Sequence, residues 1–452
     1  MITFDYTNVL DTAVGAHGIP EASLMAAVSA GQRAVDAVDA AHKAGKLGFA
    51  NLPNAEKPLR QVLDFAKEHE HKNIVIVGIG GSALGPAALE SALSPANASR
   101  KLVVLDNIDP DFIAGSLSTL NPADTFVNVI AKSGVTAETM ATFAIVKKWM
   151  NDALGPARTR ERFAVTTDPE KGDLLAIARQ ERFPTFEIPR NVGGRFSVLT
   201  PVGTLPAALL GLDVEGLMRG AAQTEEQSRR QFAENPALVA AFVQWILDHQ
   251  YRKSILVLFP YSQALWKFSF WFKQLWGESL GKKLDRREHE VFSGQTPTAA
   301  LGVTDQHSQL QLFIEGRNDK SFLFWAVRDF KEPLPISHPY GNHDSMAYLE
   351  KRTLAELFTA ERQATEMAIT QAGRPNSTIY IDRVDAPAVG SLIMFSQYMT
   401  AYAGEFYDVD AFDQPGVEYG KKLTFCLMNR PGFEEFRSRI ETEQRKNRKL
   451  VR

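Results

Sequence analysis

A glycine-rich segment at residues 72–86, KNIVIVGIGGSALGP, constrains the fold of this chain most strongly. Its apolar run at 74–77 is typical of a buried strand, and the glycines that follow predict a tight turn that opens a helix. Such a turn lets backbone N–H groups approach an anion closely, and the amino end of the helix adds a partial positive charge. The segment therefore predicts a phosphate site that includes Gly80, Gly81 and Ser82.

The same segment also satisfies a second pattern. Gly78, Gly80 and Ala83 fit the relaxed dinucleotide fingerprint G-x-G-x-x-A, and Asp106 follows the next apolar run, KLVVLDN. An acidic side chain at that place binds the ribose of a dinucleotide. A nicotinamide-dependent dehydrogenase is therefore an alternative that this motif alone leaves open.

A hydroxyl-rich loop follows the next strand, in TFVNVIAKSGVTAET. The strand at 126–130 leads into Lys132, Ser133, Thr136 and Thr139. Because open α/β sheets bind ligands at the carboxyl ends of their strands, these hydroxyls are expected beside the glycine-rich turn, where they suit a compact phosphate monoester. Ser133 or Thr136 also fits the cap of a following helix. We expect both capping and phosphate binding.

Strands and helices alternate along most of the chain. Residues 20–44 predict an amphipathic helix that ends near Gly45, and strands follow near 74–78, 102–105, 126–130 and 163–166. The alternation resumes at the strand SILVLFP, where KSILVLFPYSQAL echoes KNIVIVGIGGSAL. This pattern predicts an α/β fold with two similar domains, each a mainly parallel sheet between helices in three αβα layers. The predicted parts are an N-terminal helical segment (1–50), a first domain (51–220), a second domain (221–425) and a C-terminal helical tail (426–452).

Composition excludes several classes of protein. Lys and Arg number 50 against 53 Asp and Glu, so a net charge of −3 predicts no general attraction to nucleic acid or to a membrane surface. Cys426 is the only cysteine, which excludes an internal disulfide and fits the cytoplasm. The first residues, MITFDYTNVLDTAV, resemble no signal peptide, and no apolar run is long enough to span a membrane. The basic run at 445–452 is expected to be a solvated helix tail.

Further motifs carry a resemblance to a known family. Together with the two loops above, the chain is similar over some 350 residues to the phosphoglucose isomerase family, whose domains are of the sugar isomerase (SIS) type. The motifs are NVGGRFSVLTPVG at 191–203, QLWGESLGKK at 274–283, TDQHSQLQ at 304–311 and FDQPGVEYGKK at 412–422.

The resemblance implies a reaction and a substrate. Members of the family interconvert glucose 6-phosphate and fructose 6-phosphate through an enediolate, in glycolysis and gluconeogenesis, with no metal or redox cofactor. The chemistry needs a base for the carbon-bound proton, a group that stabilises the enediolate charge and an acid–base pair that opens the sugar ring. The short GESLGKK and DQPGVEYGKK segments look like the bacterial branch of the family.

The motifs supply a residue for each role. By resemblance, Glu278 is the general base and Arg195, next to Gly194, stabilises the enediolate. A charged fork beside glycines can approach an oxyanion without steric hindrance. Gln414 is expected to bind the substrate or its phosphate.

The ring-opening pair is also assigned by resemblance. His307 and Lys421 take this role, although Lys422 competes with its neighbour for the part of the lysine. In the family the histidine reaches the site from the neighbouring subunit, so the resemblance implies a homodimer with His307 contributed across the interface.

The chain departs from the family at Ala131, where many members have serine. Ser133, Thr136 and Thr139 would then have to bind the phosphate. A third class of function also stays open, a sugar-phosphate sensor built of SIS domains without catalysis. Such a sensor would have no need of Glu278, and the presence of all four catalytic candidates argues against it.

Overall fold

The computed structural model describes residues 2–26, 28–337 and 343–443, so the basic run at 445–452 lies outside it. The strands are β1 (Thr3–Asp5), β2 (Asn73–Val77), β3 (Lys101–Leu105), β4 (Thr125–Ala131), β5 (Phe163–Thr167), β6 (Thr185–Glu187), β7 (Ile255–Tyr261), β8 (Lys282–Leu284), β9 (Glu290–Ser293), β10 (Thr296–Ala299), β11 (Lys320–Val327) and β12 (Asn376–Ile381). The α-helices are α1 (Asp11–Val14), α2 (Glu21–Ala26), α3 (Val28–Lys43), α4 (Glu56–Glu68), α5 (Gly81–Leu93), α6 (Pro110–Ser118), α7 (Ala137–Arg160), α8 (Asp173–Glu181), α9 (Pro201–Leu209), α10 (Val214–Gln227), α11 (Pro236–His249), α12 (Trp266–Leu280), α13 (Leu310–Glu315), α14 (Asp344–Ala347), α15 (Leu354–Gln371), α16 (Ala386–Tyr407), α17 (Glu418–Leu427) and α18 (Arg437–Glu443).

The first sheet is parallel throughout and has the strand order β3-β2-β4-β5-β6. Its inner strands are β-branched and apolar, and every residue of β4 is buried. A parallel sheet covered by helices on both faces needs such continuous apolar runs. Register pairing of Val77 with Val129 brings the ends of β2 and β4 together, so the loops that follow them share one edge of the sheet.

The second sheet has the order β1-β12-β11-β7-β10 and is parallel except for β1. Strand β1 pairs antiparallel with β12 through Phe4 and Ile379. The first 50 residues, predicted as a helical segment, thus also supply an edge strand to the distant second sheet. A three-residue strand is too short to show a period in the sequence.

The helices that follow the two echoing strands, α5 after β2 and α12 after β7, pack against each other. Ser91 Oγ of α5 also donates at 3.2 Å to the carbonyl of Ala264, which lies in the 3₁₀ helix just before α12. One cluster of buried apolar side chains runs from Ile74 in the first sheet to Leu256 in the second. The predicted α/β class with two mainly parallel sheets between helices is confirmed, while the predicted domain limits stay a prediction.

The predicted helix at 20–44 corresponds to α2 and α3, with residue 27 outside the described part of the chain. It ends in a Schellman motif, in which Lys46 N–H donates to the Ala41 carbonyl at 2.9 Å and Gly45 N–H to the His42 carbonyl at 2.8 Å. Gly45 has a φ of +71°, a conformation that favours glycine. The predicted end of the helix is confirmed.

Candidate active site

The glycine-rich turn after β2 forms one side of the candidate site. Gly80 has a φ of +57° and precedes the first residue of α5. A Cβ on Gly81 would lie 2.2 Å from the Gly194 carbonyl oxygen, so only glycine allows the GGRFS segment to cross the amino end of α5. Two motifs that are far apart in the sequence therefore meet here. Gly81 is needed for this close packing.

The hydroxyl-rich loop after β4 lies at the same edge of the sheet. Ser133 Oγ and Thr136 Oγ1 are 3.1 Å apart, and Val135 N–H donates to Ser133 Oγ at 3.4 Å. Thr136 occupies the N-cap position of α7, but its side chain makes no capping hydrogen bond. The prediction of a hydroxyl cap is therefore wrong, because the two hydroxyls pair with each other. Thr139 lies one turn into α7 and is 3% exposed.

Lys132 contacts the backbone of a segment further along the chain. Its ammonium donates to the carbonyls of Arg190 and Val192 at 2.9 and 2.7 Å. Burial lowers the pKa of this ammonium, and the nearby Asp168 carboxylate opposes the effect. Lys132 thus anchors the chain just before Gly193 and Gly194, and its predicted contact with phosphate stays a prediction.

Arg195 is the most buried charged group of the site, with a side chain that is 1% exposed. Burial lowers the pKa of its guanidinium, and the carboxylates of Glu278 and Asp413 oppose this. Its five hydrogen bonds go to Ser279 Oγ (2.7 Å), Ala411 O (2.6 Å), Asp413 O (2.9 Å), Gln414 Oε1 (3.0 Å) and Glu278 Oε2 (3.4 Å). Such a network satisfies a buried cation and holds the planar fork in one orientation.

Glu278 lies near the end of α12 with its side chain 35% exposed. Its Oε2 faces Nη1 of Arg195, and its Oε1 accepts a hydrogen bond from Nε2 of Gln274 at 3.2 Å. Gln274 in turn lies against the glycine-rich turn, since its Nε2 would be 3.0 Å from a Cβ on Gly80. The carboxylate therefore connects the Arg195 fork with the turn after β2.

His307 and Lys421 lie on other elements of the fold, a 3₁₀ helix and α17. His307 is exposed and ends a 3₁₀ helix at Thr304–His307, which Gln306 anchors through its Nε2 to Tyr261 Oη at 2.5 Å. Lys421 is exposed on α17 and donates to Glu418 Oε1 at 2.7 Å. Among the described residues, no hydrogen bond or ion pair joins His307 or Lys421 to Glu278.

Four residues that hold the site together are not among those predicted from the sequence. Ser279 and Lys282 belong to the GESLGKK motif, Asp413 belongs to FDQPGVE, and Trp271 Nε1 donates to the Arg195 carbonyl at 3.1 Å. Their place inside or next to the quoted motifs was the available signal. Their contacts join segments that are far apart in the sequence, so local sequence patterns do not reveal them.

A half-exposed carboxylate beside a buried guanidinium can exchange a proton and stabilise the negative charge that results. Here the pair adjoins the glycine-rich turn after β2, which shares with the loop after β4 the carboxyl edge of a parallel sheet, where α/β proteins bind their ligands. The α/β fold and the paired groups suit acid–base chemistry on a small molecule.

Comparison with known proteins narrows this class. Residues 65–440 match the family model described as phosphoglucose isomerase. The glucose-6-phosphate isomerase of Carboxydothermus hydrogenoformans is 44% identical over 409 residues, which cover 88% of each chain. The glucose-6-phosphate isomerase of Rubrobacter xylanophilus is 41% identical over 444 residues, or 96% of this chain and 99% of that one. The chain belongs to the phosphoglucose isomerase family.

Solved structures share the fold of this chain. A hypothetical protein from Thermus thermophilus is 36% identical and superposes with a TM-score of 0.86 over 95% of this chain and 100% of its own. A glucose-6-phosphate isomerase from Chlamydia trachomatis, 22% identical with a TM-score of 0.75, covers 83% of this chain and 73% of that one and shares the fold.

The predictions of an enzyme and of an isomerase of this family are confirmed by these similarities. They give no support to a dehydrogenase or to a sensor without catalysis. In the described part of the chain, each helix is too short or too polar to cross a membrane.

Proposed function

We propose that this chain interconverts glucose 6-phosphate and fructose 6-phosphate through an enediolate, in glycolysis and gluconeogenesis. The observation that carries the proposal is the contact of Arg195 Nη1 with Glu278 Oε2 at 3.4 Å. A base and a fixed cation side by side are what the transfer of a carbon-bound proton next to a carbonyl requires.

In the proposed reaction Glu278 removes the proton from carbon 2 of the open-chain aldose and returns it to carbon 1, while the hydroxyl proton moves from oxygen 2 to oxygen 1. The negative charge then lies on the enediolate oxygens. Nε and Nη2 of Arg195 are occupied by Ser279, Ala411 and Asp413. Nη1 instead contacts Glu278 and Gln414, two residues of the proposed site, so it is the nitrogen that would stabilise an oxyanion.

The phosphate is proposed to bind at the two loops after β2 and β4. The donors are backbone N–H groups near Gly80 and Gly81 and the hydroxyls of Ser82, Ser133, Thr136 and Thr139. Support comes from the position of both loops at the carboxyl ends of neighbouring parallel strands. The Thr136 hydroxyl, in addition, makes no hydrogen bond that caps α7. Gly194 and Lys132 shape this end of the site, since Lys132 holds the segment before the GGRFS loop.

Ring opening is assigned to His307 and Lys421. The exposure of His307, and its lack of a described contact with Glu278, fits a histidine that serves the site of a neighbouring subunit. We propose a homodimer on this basis. Gln414 Oε1 accepts from Arg195, which leaves its amide nitrogen as a donor to the substrate. Lys421 is preferred over Lys422 by its place in the motif.

The proposed compartment is the cytoplasm. Cys426 is the only cysteine, so the chain forms no internal disulfide and needs no oxidising environment. The formal charge of −3 offers no general attraction to nucleic acid.

A coupled assay tests the proposal. The purified chain is given fructose 6-phosphate, and the glucose 6-phosphate formed is measured with an excess of its dehydrogenase. We expect turnover with no metal or nicotinamide present beyond what the coupling dehydrogenase needs. A chain that releases no glucose 6-phosphate contradicts the proposal, and quenching of tryptophan fluorescence by a nicotinamide dinucleotide would favour the dehydrogenase alternative instead.

A further inference from the structure

Lys282 is a buried cation that connects the helix of the proposed base, Glu278, with the segment at 411–414. Its side chain is 6% exposed. Its ammonium lies 2.9 Å from the Glu278 carbonyl oxygen, 2.6 Å from the Asp413 carbonyl oxygen and 2.9 Å from Asp413 Oδ1. All three ammonium protons thus have acceptors, on the helix that carries Glu278 and on the segment that leads to Gln414.

The Lys282 ammonium binds a backbone carbonyl, that of Glu278, in the last turn of α12. Carbonyl groups in the last turn of a helix lack intrahelical partners, and a cation there also interacts favourably with the helix dipole. Lys282 follows the last residue of α12, Leu280, after one glycine, and its side chain returns to the Glu278 carbonyl. The ammonium therefore fixes the turn from which the Glu278 carboxylate projects.

The contact with Asp413 links this turn to the Arg195 network. The Asp413 carbonyl accepts from both Lys282 Nζ and Arg195 Nη2. The charged groups around Lys282 are Asp413, Asp410 and Arg195, and burial lowers the pKa of the Lys282 ammonium. A buried charge is costly unless it is paired and hydrogen-bonded. The Lys282 ammonium therefore needs its acceptors on Glu278 and Asp413 to stay in place.

We propose that Lys282 is a positioning residue for the isomerisation, which holds the last turn of α12 against the 411–414 segment and so keeps the Glu278 carboxylate facing Arg195 Nη1. The inference rests on the proposed function, in which Glu278 is the base. Lys282 makes no described contact with the phosphate loops after β2 and β4. Its loss should therefore affect the proton transfer and leave phosphate binding intact.

The test compares Lys282→Met, Lys282→Arg and a matched control, Lys283→Met. Lys283 is the adjacent lysine, is 61% exposed and pairs with Glu290 at 2.8 Å. Lys282→Met should lower kcat about 100-fold, the scale of a catalytic group displaced by about 1 Å. KM and inhibition by inorganic phosphate should stay within about twofold, while a hydroxamate that mimics the enediolate binds less tightly. Lys282→Arg should recover much of kcat, and Lys283→Met should match the wild type.

Wild-type turnover decides the proposed function by itself, whereas this inference depends only on ratios to the wild type. Unchanged kcat in Lys282→Met overturns it. Equal losses of kcat and of phosphate binding, with a lower melting temperature, also overturn it, because they indicate a purely structural role. If Lys282→Met fails to fold, Lys282→Gln, which keeps a donor but loses the charge, decides: a reduced kcat with a wild-type KM supports positioning, and a wild-type kcat or a parallel loss of phosphate binding refutes it.

Discussion

The Ser279 hydroxyl accepts a hydrogen bond from Nε of Arg195 at 2.7 Å, one residue after the carboxylate that Nη1 of the same arginine faces. Neighbouring residues on one helix thus contact two nitrogens of one guanidinium. Because the fork is planar and rigid, fixing Nε at Ser279 also fixes the direction in which Nη1 points. The orientation of the proposed oxyanion donor therefore depends on a neutral hydroxyl.

Replacing Ser279 by alanine should lower both stability and turnover. The variant leaves Nε of a buried cation without its acceptor, which costs about 1.5–3 kcal/mol for a hydrogen bond to a charged group. Urea denaturation measures the free energy of unfolding, and the coupled assay measures kcat.

Ser269 provides the control on the same helix. It is fully buried like Ser279, but its hydroxyl has no hydrogen-bond partner among the residues that the structure describes. Ser269→Ala removes an unsatisfied polar group, so its free energy of unfolding should be unchanged or higher. Equal destabilisation of both variants would show that loss of volume, and not the bond to Arg195, explains the effect.

Glu278→Gln should retain substrate binding and lose isomerisation by about 10²–10⁴-fold, the usual contribution of a general acid–base group. The amide keeps the volume of the side chain but cannot accept the transferred proton. The measurement is exchange of solvent protons into carbon 2 of the substrate. Glu290→Gln, on an exposed glutamate, serves as the control. Exchange near the wild-type rate in Glu278→Gln would show that another group is the base.

The fold was largely predictable from the sequence. Strands such as Asn73–Val77 and Thr125–Ala131 are short, apolar and rich in β-branched residues, and turn residues flank them. Local patterns therefore suffice to find them. Strand Thr3–Asp5 was not predictable, because its place in the second sheet depends on pairing with Thr378–Tyr380, far along the chain.

The site was predictable only as a set of motifs. Arg195 and Glu278 were assigned by resemblance, and the structure adds that they are in contact. The sequence did not indicate that Lys132 is directed to the carbonyls of Arg190 and Val192. Side-chain direction depends on the fold of distant segments, and a motif supplies the residue type alone.

Ser82→Ala and Ser133→Ala should each raise KM more than they lower kcat. The phosphate keeps its charge through the reaction, so its donors stabilise ground state and transition state alike. Each lost bond should cost about 1.5–3 kcal/mol of binding free energy. Ser118→Ala is the control, since this exposed hydroxyl donates to the Gly115 carbonyl. A loss confined to kcat would indicate contact with the reacting carbons.

His71 predicts a pH dependence of stability outside the site. Burial, followed by the nearby Arg162 guanidinium, lowers its pKa from 6.5 to about 4. The unfolded chain therefore binds more protons than the folded chain between these values, and the free energy of unfolding falls as pH decreases from 6.5 to about 4.

His71→Gln should flatten this part of the profile, because the amide does not titrate and can still accept from Arg162, whose Nη1 lies 2.7 Å from His71 Nδ1. Urea denaturation at a series of pH values measures the slope. The same slope in both proteins would assign the acid sensitivity to other groups.

The role of His307 across a subunit interface can be tested with two inactive variants. Glu278→Gln lacks the proposed base, and His307→Ala lacks the proposed ring-opening group and is assayed with cyclic glucose 6-phosphate. Each variant carries a different affinity tag, and coexpression followed by two purification steps isolates the mixed dimer. A dimer doubly tagged but carrying Glu278→Gln in both subunits is the control.

If His307 serves the partner's site, the mixed dimer contains one site with both defects and one with none. Its activity should be about half that of the wild-type dimer, by the symmetry of a twofold interface. If His307 serves the site of its own subunit, each site keeps one defect and the mixed dimer stays inactive. A chain that sediments as a monomer while active on the cyclic sugar would equally contradict the exchange, because no partner could then supply the histidine.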